Sequence, residues 1–299
     1  MLRRTILAAA DSPRIQRFVH RYGMRLGAAR FVAGETLDEA VVTLRRLNEE
    51  GLRTNTTLLG ESVSDPGEAG SVVGVYEEVL RRIAAERLQT NVALKLSHLG
   101  VLIDEELAYG NLKRLVAEAA GLGNFIRIDM EDSPLVDVTL RIFRRLREAG
   151  HENVGTVLQA YLYRSEADLE ALLPLQPNLR IVKGAYREPA DVAYPKKADV
   201  DAAFRRLVER SVAAGGSTAV ATHDERLIDH ALSLGAGPDR LELQMLYGVR
   251  TQLQLDLVRR GERVLCAAPY GPDWYPYLMR RLAERPANLL FFLRTALSE

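Results

Sequence analysis

Charged and hydrogen-bonding side chains recur near the ends of short apolar runs in this chain. They are Lys95 in VALKLSHLG, Arg127 and Asp129 in FIRIDM, Gln159 in GTVLQAY, Arg180 in NLRIVKGAY, Thr222 and His223 in AVATHD, and Glu242 and Gln244 in LELQML. Successive side chains of an extended strand alternate faces, so Ala93, Lys95 and Ser97 share one face and Val92, Leu94 and Leu96 the other. The same parity pairs Arg127 with Asp129, and Glu242 with Gln244. Ionised side chains are rarely buried unless paired. One inward charge reads as a structural ion pair, but polar groups at the same end of several strands read as a site. Farther along, Tyr277, Arg280, Arg281 and Glu284 stand at i, i+3, i+4 and i+7 on one helical face, with Asp273 as its cap and Pro286 as its stop. On residue types alone the plainer reading is a solvated face with an Arg280–Glu284 pair. The sharper one is a pair of guanidinium forks for a carboxylate.

Something must bring those strand ends together. Apolar or β-branched runs begin near Thr54, Val92, Phe125, Val154, Arg180, Thr218, Leu241 and Val264. Between them 74–86, 105–120, 135–149, 202–214 and 252–260 carry apolar residues at helical spacing, with Arg and Glu between. Eight strands alternating with helices at roughly 30-residue intervals is the rhythm of a (β/α)8 barrel, whose active sites lie at the C-terminal strand ends. An open doubly wound sheet is the alternative, but no GxGxxG follows the first strand. Residues 13–26 and 37–48 read as extra helices before the barrel. With no Ser/Gly-rich or Pro-rich linker, residues 1–299 read as one domain, with the helices of residues 1–50 packed on it.

Composition narrows the function. Forty Lys+Arg balance forty Asp+Glu, which disfavours a dedicated nucleic-acid binder. A single cysteine excludes an intrachain disulfide framework and a multi-cysteine metal site, and suits a reducing compartment. The apolar runs fall short of a membrane span, and the start MLRRTILAAADSP is too short in its apolar part for a secretory signal. A cytoplasmic protein is expected, with association at the inner face of the cytoplasmic membrane as an option.

IVKGAYREP, ATHDERL, LELQMLYGVR and APYGPDWYPYLMRRLAERPAN, with VALKLSHLG and IRIDMEDS upstream, resemble the flavin-dependent proline dehydrogenases. The likeness extends to the single-function bacterial enzymes and to the dehydrogenase part of proline utilization A, over roughly residues 50–292. It implies a distorted (β/α)8 barrel holding FAD non-covalently. It also implies oxidation of L-proline to 1-pyrroline-5-carboxylate, with electrons passed to a membrane quinone.

The resemblance carries over residue by residue. Arg280 and Arg281 match the family's carboxylate-binding arginine pair, with Lys95 as a third positive group. An empty site would then need counter-charges, for which Glu284 and Asp129 are candidates. Arg180 matches the arginine beside flavin N5, where positive charge favours the reduced anionic ring. Lys183, Gly184 and Ala185 match cofactor contacts; glycine allows close backbone approach and lysine suits a pyrophosphate. Met130, Gln159, Thr222 and His223 match further FAD contacts, and Tyr186 and Leu246 match walls of the substrate ring, near Tyr277. Asp129 is expected to orient the arginines and the flavin side of the pocket.

One position departs from the pattern. Family members carry a tyrosine on the eighth strand, against the ring carbon that bears the hydroxyl of 4-hydroxyproline. Here that position falls on Ala267, or one residue earlier on Cys266, in LCAAPYG. Hydroxyproline preference is therefore an alternative within the family. A metal-dependent barrel hydrolase using His98, Asp129, Glu131 and His223 is an alternative outside it, thinly supported without HxH or HExxH. A non-enzymatic interaction protein is the third, and it gives no reason to bury Lys95 and Asp129. The stretch 288–297 reads as a last helix that packs on the barrel or caps the site, with membrane contact as the other reading.

Overall fold

A computed structural model describes residues 28–284, with side chains through Met279. Eight parallel strands close into a barrel in sequence order. They are β1 (Arg53–Thr56), β2 (Thr90–Leu94), β3 (Ile126–Ile128), β4 (Val154–Gln159), β5 (Asn178–Val182), β6 (Thr218–Ala221), β7 (Leu241–Leu246) and β8 (Val264–Ala267). The register of β1 with β8, Thr54 opposite Cys266 and Asn55 opposite Ala267, completes the ring. This is the (β/α)8 architecture that the strand spacing predicts.

Helices α1 (Leu37–Glu49), α2 (Pro66–Ala85), α3 (Glu105–Gly121), α4 (Val136–Glu148), α5 (Ser165–Leu172), α6 (Lys197–Ala213), α7 (Glu225–Ser233), α8 (Thr251–Arg259) and α9 (Trp274–Glu284) accompany the strands. Their starts follow local chemistry. Thr36 and Glu39 form a reciprocal capping box for α1, and the Asp65 and Asp104 carboxylates accept from the Glu68 and Leu107 amides at the starts of α2 and α3. The helix expected over 37–48 is present. Those expected over 13–26 and 288–297 lie outside the described residues.

Outward strand residues such as Val92, Leu94, Ile126, Ile128, Ile181 and Val220 are buried against the apolar helix faces in one continuous core. Glu105 and Glu106 of α3 pair with Arg141 and Arg145 of α4, and Glu166 and Glu170 of α5 with Arg206 and Arg210 of α6. These exposed pairs fix helix register more than they add stability. A second apolar cluster matters for the site. Phe31, Val32, Leu59, Val249, Trp274 and Leu278 seat the start of α9 over the C-terminal end of the barrel, and the Trp274 indole donates to Glu35 at 2.6 Å.

Candidate active site

Two adjoining cavities open at the C-terminal strand ends. One of about 350 Å³ lies between the β1 and β8 exits and the start of α9, lined among others by Asn55, Leu58, Glu61, Asp273 and Pro276. The other, of about 1120 Å³, spreads over the ends of β3 to β7. Lys95, Asp129, Arg180, Leu246, Ala267 and Tyr277 line both.

The charges at this junction are arranged in pairs. Arg180 is nearly buried on β5; it donates through Nη1 to Asp129 Oδ1 at 2.6 Å and through Nε to Gln244 Oε1 at 2.5 Å. Gln244 in turn donates to Glu242, which also accepts from Arg263 at 2.8 Å. This chain of bonds holds the Arg180 guanidinium by two of its edges. Lys95 forms an ion pair with Glu61 of the β1 exit loop. Lys95 and Asp129 follow the last residues of β2 and β3, so alternation aims both inward, as the strand parity predicts.

The larger cavity has the donor set of a phosphate-bearing ligand along its far rim. Lys183, Lys197, Arg226 and Arg250 line it, together with Thr222, His223 and Gln159. Asp201 and Asp224 hold the Lys183 ammonium at 2.6 and 3.1 Å, and Lys197 pairs with the same two carboxylates. Burial opposes ionisation of Asp224, but the Lys183 and Lys197 ammonium groups outweigh it and hold its carboxyl below the ordinary range. Gly184 has φ +116°, and a Cβ there would meet the Tyr161 ring at 2.3 Å. Only glycine therefore lets the KGAY backbone lie flat on that ring and leave the rim open. His223 Nε2 accepts from the Leu246 amide at 2.9 Å, which assigns its proton to Nδ1 and braces the end of β7.

The family profile for proline dehydrogenase matches residues 40–294. The chain belongs to the proline dehydrogenase family. It is 44% identical over 302 residues to the proline dehydrogenase of Deinococcus radiodurans, covering 98% of this chain and 97% of that one. It is 41% identical to proline dehydrogenase 1 of Bacillus subtilis strain 168 over the full length of both. Among solved structures it resembles proline utilization A from Bdellovibrio bacteriovorus inactivated by N-propargylglycine, with a TM-score of 0.82 and 25% identity. That likeness covers 87% of this chain and 32% of the other, so the chain spans about a third of that protein's length.

Within this proline dehydrogenase-family barrel the residues singled out from the sequence divide clearly. Lys95, Asp129, Met130, Gln159, Arg180, Lys183, Gly184, Ala185, Tyr186, Thr222, His223, Leu246 and Tyr277 converge on the two cavities. Arg280, Arg281 and Glu284 lie on α9, three, four and seven residues after Tyr277; their side chains lie outside the described residues. Ala267 lines both cavities, whereas Cys266 is buried in the core, so of the two positions weighed on β8 Ala267 is the one that faces the cavities. Arg127 proves structural. Its guanidinium bonds the Thr156 and Asn178 carbonyls and lies 4.9 Å from the Phe125 ring centre.

The counter-charge of Lys95 differs from the expectation, while the Arg280, Arg281 and Glu284 side chains that it also concerned lie outside the described residues. Asp129 is engaged by Arg180, and the partner of Lys95 is Glu61, which sequence reasoning missed. Asp201, Asp224 and Lys197 were missed as well, since loop residues carry no periodicity that assigns them a face. Glu131 and His98, weighed as metal ligands, do other work. The Glu131 carboxylate bonds Ser97, and the His98 ring packs edge-on to Tyr76 with ring centres 6.2 Å apart. Among the described residues no group of three or more His, Cys, Asp or Glu is placed to hold a metal ion.

Proposed function

We propose that the protein oxidises L-proline to 1-pyrroline-5-carboxylate, the first step of proline catabolism, with non-covalently bound FAD as hydride acceptor at N5 and a quinone as onward acceptor. The observation that carries this reading is the pair of adjoining cavities with paired charges at their junction. The large one suits a dinucleotide cofactor in volume and in donors, and the small one suits a single compact amino acid. When bound, FAD supplies the two-electron sink that no side chain of this chain offers.

The chain's own residues then bind, orient and exclude water. Lys183, Gly184 and Ala185 would hold the pyrophosphate of the cofactor, and Thr222, His223, Gln159 and Met130 would contact the rest of it. Arg180 presents positive charge to the flavin, and Asp129 fixes its direction at 2.6 Å. Lys95, Arg280 and Arg281 receive the substrate carboxylate, with Glu284 as their acidic neighbour on α9. Tyr186, Leu246 and Tyr277 would wall the substrate ring and so orient it for hydride removal. No described helix is long and apolar enough to cross a membrane.

The test is spectroscopic. The purified protein should be yellow, and its flavin absorbance should bleach on anaerobic addition of L-proline. A colourless, chelator-sensitive preparation would point to the hydrolase reading instead, and a flavin that proline does not reduce would sink the substrate assignment.

A specific observation bears on 4-hydroxyproline. Ala267 leaves space at the cavity junction, and neither tyrosine placed to refill it does so. The Tyr247 hydroxyl bonds Arg46 at 3.3 Å, and Tyr270 packs in the core outside both cavity linings. Proline should remain the better substrate, with 4-hydroxyproline tolerated. Ala267→Tyr should raise the proline-to-hydroxyproline ratio of kcat/KM by about 10- to 200-fold, the range for a shape change in an apolar pocket. An unchanged ratio would remove Ala267 from the substrate wall.

A further inference from the structure

Among the described residues Glu131 is one of the few buried carboxylates, at 5% exposure, and the functional reading above gives it no task. It lies two residues past Asp129, and its carboxylate is spent on one partner. Oε1 accepts from the Ser97 amide at 2.9 Å and Oε2 from the Ser97 hydroxyl at 2.5 Å. Ser97 then reaches the β1 exit loop. Its Oγ accepts from the Ser62 amide at 3.2 Å, and its carbonyl accepts from the Val63 amide at 3.0 Å. The Glu131 carbonyl accepts from the Gln159 side chain at 2.8 Å, which anchors the hub to the end of β4.

The two loops tied at Ser97 carry the two ends of one ion pair. Lys95 stands two residues before Ser97, and its partner Glu61 stands immediately before Ser62. Ser62 holds φ +63°, a left-handed conformation that a residue with a Cβ adopts only under constraint from its surroundings. Burying a carboxylate is costly, and charge-assisted bonds offset that cost only when they are well formed. Burial pushes the Glu131 carboxyl up, and the two Ser97 bonds oppose that rise.

We propose that Glu131 is a positioning residue for substrate binding: through Ser97 it holds the β1 and β2 exit loops at the separation that aims Lys95 into the smaller cavity. This rests on the reading of Lys95 as a carboxylate contact. Glu131→Ala releases Ser97 and lets both loops relax. Ser97→Ala removes only the hydroxyl that joins Glu131 to Ser62, and it serves where Glu131→Ala fails to fold. Glu131→Gln keeps an acceptor for the Ser97 amide and restores most of the arrangement.

The experiment is steady-state kinetics with L-proline on flavin-loaded protein, for these three variants, Lys95→Met, and Lys95→Met combined with Ser97→Ala. Glu131→Ala and Ser97→Ala should raise KM about 10-fold with kcat and flavin content near the parent, and Glu131→Gln should return KM most of the way. In the Lys95→Met background Ser97→Ala should add nothing, because its effect travels through that lysine. An effect that adds fully on top of Lys95→Met, a loss confined to kcat, or an unchanged KM in Ser97→Ala overturns the positioning role. If Lys95→Met alone leaves KM at the parental value, the carboxylate reading of Lys95 fails, and the role assigned to Glu131 falls with it.

Discussion

Methionine in place of Arg280 or Arg281 is expected to leave flavin bound and to lower kcat/KM for proline by roughly 30- to 4,000-fold. The range follows from the loss of one partner of a desolvated charge pair, about 2–5 kcal/mol. The helix should survive the exchange, because methionine and arginine have similar helix propensity and length. The start of α9 is also fixed independently, by buried Trp274 and its bond to Glu35. Tyr277, one turn earlier on α9, lines both cavities, and positions three and four further on share its helical face by spacing. Lysine at either position should recover only part of the loss, since a point charge cannot reproduce a planar fork on a carboxylate. Most of the loss should appear in KM where the arginine binds substrate and transition state alike, and in kcat where it also orients the ring. Kinetics within about threefold of the parent would take these residues out of the site.

The barrel was legible because its physics is repetitive. Each strand alternates between a face meeting apolar helices and one meeting the barrel interior, so Lys95, Asp129, Arg180 and Gln244 stand out as polar residues in the inward register. Two short helices were implied by the strand–helix rhythm but not delimited, for local reasons. Ser165–Leu172 has no side-chain cap and its amphipathic pattern is weak, and Glu225–Ser233 follows directly on the polar ATHD segment. The pairing of charges was not legible. Lys95 meets Glu61 and Lys183 meets Asp224 between exit loops of neighbouring strands, and the sequence carries no periodicity that fixes the shape of those loops. Arg127 shows the converse. Parity put it on the inward face correctly, but depth along the strand decides whether such a residue meets a ligand or, as here, the carbonyls of neighbouring strands. The resemblance supplied roles that parity could not, and the structure supplied the partners that the resemblance did not mention.

Arg180→Met should lower the reduction potential of the bound flavin, and the direction follows from two charges rather than one. In the parent the guanidinium and Asp129, bonded at 2.6 Å, both line the cavity that the flavin would fill, and Gln244 holds the Arg180 Nε. Removing it takes a positive charge from the ring and also leaves the Asp129 carboxylate uncompensated beside the same cavity. Both changes disfavour the anionic reduced ring. Loss of one preorganised donor at a developing anion costs about 3–4 kcal/mol, which corresponds to about 60–90 mV for a two-electron couple. Turnover should fall with it, because a poorer acceptor raises the barrier to hydride removal. Folding will also suffer, since Gln244 and Asp129 lose a common partner, so Arg180→Lys is the informative companion. It keeps the charge and gives up the fork, and its potential should lie nearer the parent than to Arg180→Met. Spectroelectrochemical titration of the three proteins reads the sign directly. A potential in Arg180→Met equal to or above that of the parent would mean that Arg180 addresses Asp129 and Gln244 but not the flavin.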